Sequence, residues 1–195
     1  IILIIVSLCI FLYSASQLAP ICLKLTPICL FFLLFYPYTK RFTFLCHYFL
    51  GVALAMAPAG GYIAVTGELP FGIILLSGGV CLWIGSFDVI YGSQDRQFDL
   101  DHKLHSMATQ FGVANAHKIA AFFHFISILC FIGAGIYFDL SFIYYIGVLI
   151  AILTLIYQHS LITPYDFSRL TQVYFMRNGI VSIVIFVFTL IDILS

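Results

Sequence analysis

Residues 88–106 read DVIYGSQDRQFDLDHKLHS, and four of the chain's eight acidic residues (Asp88, Asp95, Asp99 and Asp101) fall inside that stretch. Asp88 to Asp95 is seven residues, two helical turns, and Asp95 to Asp99 is four, just over one turn. On a continuous helix over 88–99 these three carboxylates share one face, with Tyr91 between the first two. Asp101 follows Asp99 by two residues and is assigned to the loop beyond. Stacked like charges repel, so the stripe calls for a cation. A hard divalent ion is one answer, since Mg²⁺ is usually held by one or two carboxylates together with substrate phosphates. A solvated helix end paired with Arg96 and Lys103 is the other, and spacing alone leaves both open.

The elements that must position these residues are membrane helices. The chain is 63% hydrophobic and 8% charged, with a mean hydropathy of +1.14, far below the charged content of a soluble domain. Seven apolar runs can be drawn, at about 1–18, 21–38, 44–65, 70–91, 117–138, 140–158 and 173–194, each near the length of a span. This predicts an all-α, polytopic transmembrane bundle forming a single domain over 1–195. If each run crosses once, seven of the eight Lys and Arg lie on one side, and the positive-inside rule makes that side cytoplasmic. The acidic stretch then sits at the cytoplasmic end of the fourth run. Asp88 lies furthest into the membrane-side portion, where an ionised group is costly and marks either function or a buried partner. The net charge is zero, which gives no reason to expect nucleic acid as a partner. The six Cys lie in apolar runs without metal-ligand spacing and are read as small hydrophobes. The chain starts Ile1-Ile2-Leu3, with no Met and no basic region ahead of the apolar run, so a missing amino-terminal portion is expected rather than a signal peptide.

Asp88-x-x-Tyr91-x-x-x-Asp95-x-x-x-Asp99 followed by His105-Ser106 resembles the second Asp-rich motif of the UbiA superfamily of intramembrane aromatic prenyltransferases. Other segments are similar to the same family in order. Tyr36-Pro37-Tyr38-Thr39-Lys40-Arg41-Phe42-Thr43 resembles its basic loop before a helix bearing a Leu-Gly pair, here Leu50-Gly51. Phe111-Gly112, Tyr157-Gln158-His159 and Tyr174-Phe175-Met176-Arg177-Asn178-Gly179 resemble later landmarks. Two positions depart from the pattern: Lys103 stands where relatives often carry Gly, and Thr109-Gln110 replaces an Ala-Arg pair. Members are helical bundles of about nine spans of roughly 20 residues each, with an earlier Asn-Asp-x-x-Asp-x-x-x-Asp motif. That motif is absent here, so the resemblance implies a chain lacking the first two spans.

The resemblance implies transfer of a polyprenyl group from polyprenyl diphosphate to an aromatic acid acceptor of the 4-hydroxybenzoate type, in ubiquinone or menaquinone biosynthesis. Asp95 and Asp99 are expected to hold Mg²⁺ and, through it, the diphosphate. Asp88 is expected to orient or deprotonate the phenol or to add a metal ligand, with Tyr91 as a hydrogen-bond partner of the stripe. Arg41 suits the acceptor carboxylate as a planar fork, and Lys40 the diphosphate as a point charge; without the resemblance, topogenic charge is the simpler account of both. Asn178 is expected to reach the substrate cavity or to bond between helices, and His105 to line the loop over the site. The setting is a lipid bilayer, the bacterial inner membrane, with the site facing the cytoplasm. Three alternatives are carried: a dihydroxynaphthoate acceptor of the futalosine menaquinone route, an ion-coupled transporter, and a non-catalytic fragment. A transporter would spread its acids near mid-membrane over several helices, whereas these form one stripe at the rim.

Overall fold

In the computed structural model, residues 2–163, 167 and 176–195 are described, without the side chains of Met176 and Arg177. Arg169 and the Tyr174-Phe175 pair lie outside the described residues. The fold is an all-α bundle whose long helices match the seven apolar runs: α1 (Ile2–Ser16), α2 (Pro20–Phe35), α3 (Cys46–Thr66), α4 (Phe71–Gly92), α7 (Val113–Tyr137), α8 (Phe142–Leu161) and α9 (Met176–Leu194). Between α4 and α7 lie two short helices, α5 (Arg96–Asp101) and α6 (Met107–Phe111). Five segments are long and apolar enough to cross a membrane: 20–41, 46–66, 71–101, 113–137 and 142–161; the helices over 2–16 and 178–194 are apolar but shorter. Their outward Leu, Ile, Val and Phe side chains are exposed in large number, as lipid-facing surfaces are.

Helix α4 is the centre of the bundle, packed against α3 on one side and α7 on the other, while α8 packs on α7 and α9. Gly51 allows α3 to approach α4 closely: a Cβ there would meet the Cys81 carbonyl. Buried polar bonds tie the helices where water is absent. Ser127 Oγ donates to the Gly79 carbonyl at 2.6 Å, Tyr144 Oη to the Phe131 carbonyl at 2.8 Å, and His124 Nε2 to the Trp83 carbonyl at 3.1 Å. On the opposite side, Asp192 of α9 accepts from the Ser141 and Tyr144 backbone amides at 3.0 and 3.2 Å, satisfying the open first turn of α8.

The acidic segment departs from a continuous helix. After Gly92 the chain tightens into a 3₁₀ turn over Ser93–Asp95 and resumes as α5. Three residues at three per turn instead of 3.6 advance the phase by about 60°. The face that carries Asp88 therefore does not continue unchanged to Asp95 and Asp99. Asp95 is exposed and Asp99 buried. Asp101 is not in the loop but closes α5, where Gln97 Nε2 donates to its Oδ1 at 2.9 Å.

Candidate active site

The site is assembled from two segments that flank the ends of α3 and α4. The first is the 3₁₀ helix Tyr36–Arg41 that follows α2, and the second runs from Asp95 to Ser106. Backbone bonds clasp them together: the His105 amide donates to the Lys40 carbonyl at 2.6 Å, and the Cys46 thiol points at the His105 carbonyl at 3.5 Å. His105 contributes through its backbone while its side chain is exposed. The loop turns at Lys103, whose φ of 54° lies in the left-handed region. Glycine adopts that conformation without cost, whereas a lysine there is strained.

Within the clasp, Lys40 Nζ donates to both carboxylate oxygens of Asp99, at 3.1 and 3.2 Å. Asp99 is almost wholly buried (1% exposed) and Lys40 is 30% exposed. The like-charge problem posed by the stripe is thus answered at Asp99 by Lys40, not by Arg96 or Lys103. Arg96 Nε donates instead to the Ala108 carbonyl at 3.0 Å, and Lys103 is exposed.

Asp88 has a partner that the sequence reading did not single out. His47, in the first turn of α3, donates from Nδ1 to Asp88 Oδ2 at 2.7 Å. The imidazole is 2% exposed and the carboxylate 28%, so the ring backs the acid while the acid faces outward. Gly92 makes room for this ring, since a Cβ there would stand 2.7 Å from His47 Cε1. The available signal was a His placed four residues after Thr43 and three before Leu50-Gly51, at the mouth of an otherwise apolar helix.

Lys40, His47 and Asp88 line one small cavity of about 110 Å³ with Tyr36, Pro37, Cys46 and Leu50. Asp95 is exposed at the rim. Arg41 is also exposed and lies over the Tyr38 ring, 5.6 Å from its centroid. Tyr91 is half-buried, stacks on Phe87 with ring centroids 6.1 Å apart, and makes no hydrogen bond to Asp88 or Asp95 among the described residues. Geometry therefore brings together Lys40, Asp88 and, through Lys40, Asp99. It leaves Asp95 and Arg41 at the rim.

A larger cavity of about 580 Å³ lies deeper, on the same faces of the same helices. On α3 the stripe runs from His47 and Leu50 in the mouth to Leu54, Ala57 and Pro58 in the chamber; on α4 it runs from Asp88 back to Ile84 and Val80. These spacings of three and four are one helix face. The far wall is α9, whose Asn178, Ser182, Ile185, Phe186 and Thr189 also repeat at three and four. Asn178 therefore lines the chamber.

Carboxylate oxygens suit a hard divalent ion, and the buried Asp99 charge already draws a cation to itself. Among the described residues no three His, Cys, Asp or Glu side chains converge as a metal cage. The fit is to an ion held by one or two carboxylates with other oxygens completing its shell, which is the habit of Mg²⁺.

A polar mouth of paired charges above an apolar chamber, inside a bundle of membrane-length helices, defines an integral membrane protein with an intramembrane reaction or binding chamber. The chain belongs to the UbiA prenyltransferase family, whose model matches residues 1–180. It is 30% identical over 170 residues to a 4-hydroxybenzoate octaprenyltransferase of Nitrosospira multiformis, covering 87% of this chain and 58% of the relative. A protein of the same description from Shewanella sediminis is 32% identical over 146 residues, covering 75% of this chain and 51% of the relative. The chain thus spans about half the length of the curated relatives it matches. Among solved structures, the apo form of a UbiA homolog from Aeropyrum pernix K1 superposes with a TM-score of 0.81 at 27% identity, over 95% of this chain and 69% of the other.

Proposed function

We propose that this chain carries the acceptor-side and diphosphate-side residues of an enzyme that moves a polyprenyl group from polyprenyl diphosphate onto a hydroxylated aromatic acid of the 4-hydroxybenzoate type. The observation that carries the reading is the stacking of a charged mouth on an apolar chamber along shared faces of α3 and α4. A diphosphate needs the first and a hydrocarbon chain the second. The description of the relatives as 4-hydroxybenzoate octaprenyltransferases supports the choice of acceptor. The concentration of Lys and Arg on the mouth side, with bacterial relatives, supports a cytoplasm-facing site in the inner membrane.

Asp95 and Asp99 are the residues that would hold Mg²⁺, which when bound offsets the negative charge that grows on the leaving diphosphate. Lys40, beside Asp99, is placed to turn its mobile ammonium to the diphosphate as a point charge. The allylic C–O bond breaks with its electron pair on the diphosphate oxygen, and the electron-rich ring carbon bonds to the allylic carbon. Asp88, held by His47, takes up the proton the acceptor releases. Arg41 at the rim attracts the acceptor's carboxylate, and Tyr91 braces the end of α4 by packing. The chamber solvates the hydrocarbon and keeps water from the allylic cation.

The test is Mg²⁺-dependent transfer of radiolabelled prenyl groups to 4-hydroxybenzoate in membranes holding the full-length protein. Asp95→Ala and Asp99→Ala are each expected to abolish it; unchanged turnover in either would overturn the assignment.

A further inference from the structure

A second apolar cavity, of about 310 Å³, lies beyond the chamber on the side away from the mouth. Leu76 of α4 and Thr189 of α9 line both cavities, so the two spaces meet at this pair. The helix faces that run from mouth to chamber continue past it. On α4 the face carries Asp88, Ile84 and Val80, then Leu76, then Ile73. On α3 it passes from Pro58 to Tyr62, and on α9 from Thr189 to Ile193. Steps of three and four keep to one side of a helix. Leu76 stands twelve residues from Asp88, about 18 Å along the axis. The far wall is aromatic, with the Tyr62 and Phe138 ring centroids 6.2 Å apart.

Two of the three hydroxyls on residues lining this cavity are bonded within the protein. Thr189 Oγ1 donates to the Ile185 carbonyl at 2.6 Å, and Tyr144 Oη to the Phe131 carbonyl at 2.8 Å. Such walls suit a hydrocarbon, and the chamber is where one would enter from. We propose that Leu76 and Thr189 are specificity-determining residues for the prenyl donor, forming a neck through which the far isoprene units of a long donor pass from the chamber into the second cavity. This rests on the prenyl-transfer reading above and adds to it the path of the chain. Lipid is as apolar as the cavity, so the second space adds little affinity and the neck acts by its width. A short donor ends before the neck and does not meet it. Ile193 lines the second cavity and is 67% exposed, so a tail longer than both spaces continues into lipid beside α9.

The experiment measures prenyl transfer to 4-hydroxybenzoate in membranes holding the full-length protein, with geranyl diphosphate or octaprenyl diphosphate as donor. The readout is the ratio of the two kcat/KM values, in which differences in expression and folding cancel. Thr189→Phe fills the neck from α9 and is expected to lower the octaprenyl-to-geranyl ratio at least about tenfold, the scale of a hydrophobic pocket made too small. Leu76→Phe should do the same from α4. Leu76→Ala added to Thr189→Phe reopens the space and should recover most of the ratio. Thr189→Val keeps the width without the hydroxyl and should leave the ratio unchanged. A ratio unchanged in both phenylalanine variants overturns the inference: the chain then leaves the chamber before the neck, and the proposed function stands. So does a Thr189→Val ratio as low as that of Thr189→Phe, or a low ratio that Leu76→Ala fails to raise. Loss of both donors together in both phenylalanine variants also overturns it, since the pair then serves the fold and not the long chain. An unmodified protein that uses geranyl but not octaprenyl diphosphate overturns this inference alone. One that prenylates 4-hydroxybenzoate from neither donor overturns the functional reading and this inference together.

Discussion

At the scale of residues, the mouth is a set of paired charges whose pairing sets their sensitivity to mutation. Asp99 is buried and holds Lys40 with both oxygens. Lys40→Ala leaves that carboxylate buried without its cation, which is expected to destabilise the protein by on the order of 3 kcal/mol, because an uncompensated buried charge is worse than none. Thermal unfolding in detergent measures it, and Lys40→Ala together with Asp99→Asn should recover most of the loss. Arg41 presents the opposite case. It is exposed, so Arg41→Ala should leave stability unchanged and raise the KM for the acid acceptor several-fold at low salt, with kcat retained. The KM difference should shrink as ionic strength rises, because exposed charges are screened within about 8–10 Å. A KM effect independent of salt would argue for direct contact with the substrate instead.

At the scale of elements, two short departures from regular helix decide where the acids point. The 3₁₀ turn at Ser93–Asp95 separates the phase of α4 from that of α5, and the left-handed turn at Lys103 returns the chain over Lys40. Since φ is positive at Lys103, Lys103→Gly is expected to be neutral or stabilising by up to about 1 kcal/mol, whereas Lys103→Val should destabilise by more than that. Chemical denaturation of the two variants side by side checks the sign. Gly92 answers a different need, the space for His47. Gly92→Ala should displace the ring, costing about 1–3 kcal/mol through overpacking, and should lower activity with it. Activity lost without any change in unfolding would point away from packing as the cause.

The seven long helices were legible at this scale because each is a long apolar run, and the boundaries differ from the drawn ones by a few residues. The break in the acidic helix was not. Residues 93–95, Ser-Gln-Asp, contain no Pro or Gly to announce it, and the segment beyond the turn is held by contacts distant in sequence, to Lys40. The role of His47 is hidden from spacing for a related reason. A single His in an apolar helix has no spacing partner in its own element, and its partner Asp88 is 41 residues away.

For the whole molecule, the arrangement places a charged mouth on one side and the Asp192–Ser141 tether on the other. Lys103→Cys and Glu68→Cys, the latter in the exposed loop between α3 and α4, are expected to react with a membrane-impermeant thiol reagent from opposite sides, Lys103→Cys from the cytoplasm, in spheroplasts and inverted vesicles. Labelling of both from one side would remove the proposed topology. By itself the sequence determined the membrane setting, the helical class, the side on which charge collects and the acids that stand out, since hydropathy and spacing are properties of neighbouring residues. Only the tertiary structure decided which cation meets which carboxylate, that His47 stands behind Asp88, and that Asn178 of α9 comes to line the same cavity as Leu54 of α3 and Ile84 of α4. Those pairings join side chains on different helices, and their geometry depends on packing angles and on a phase shift that no linear spacing records.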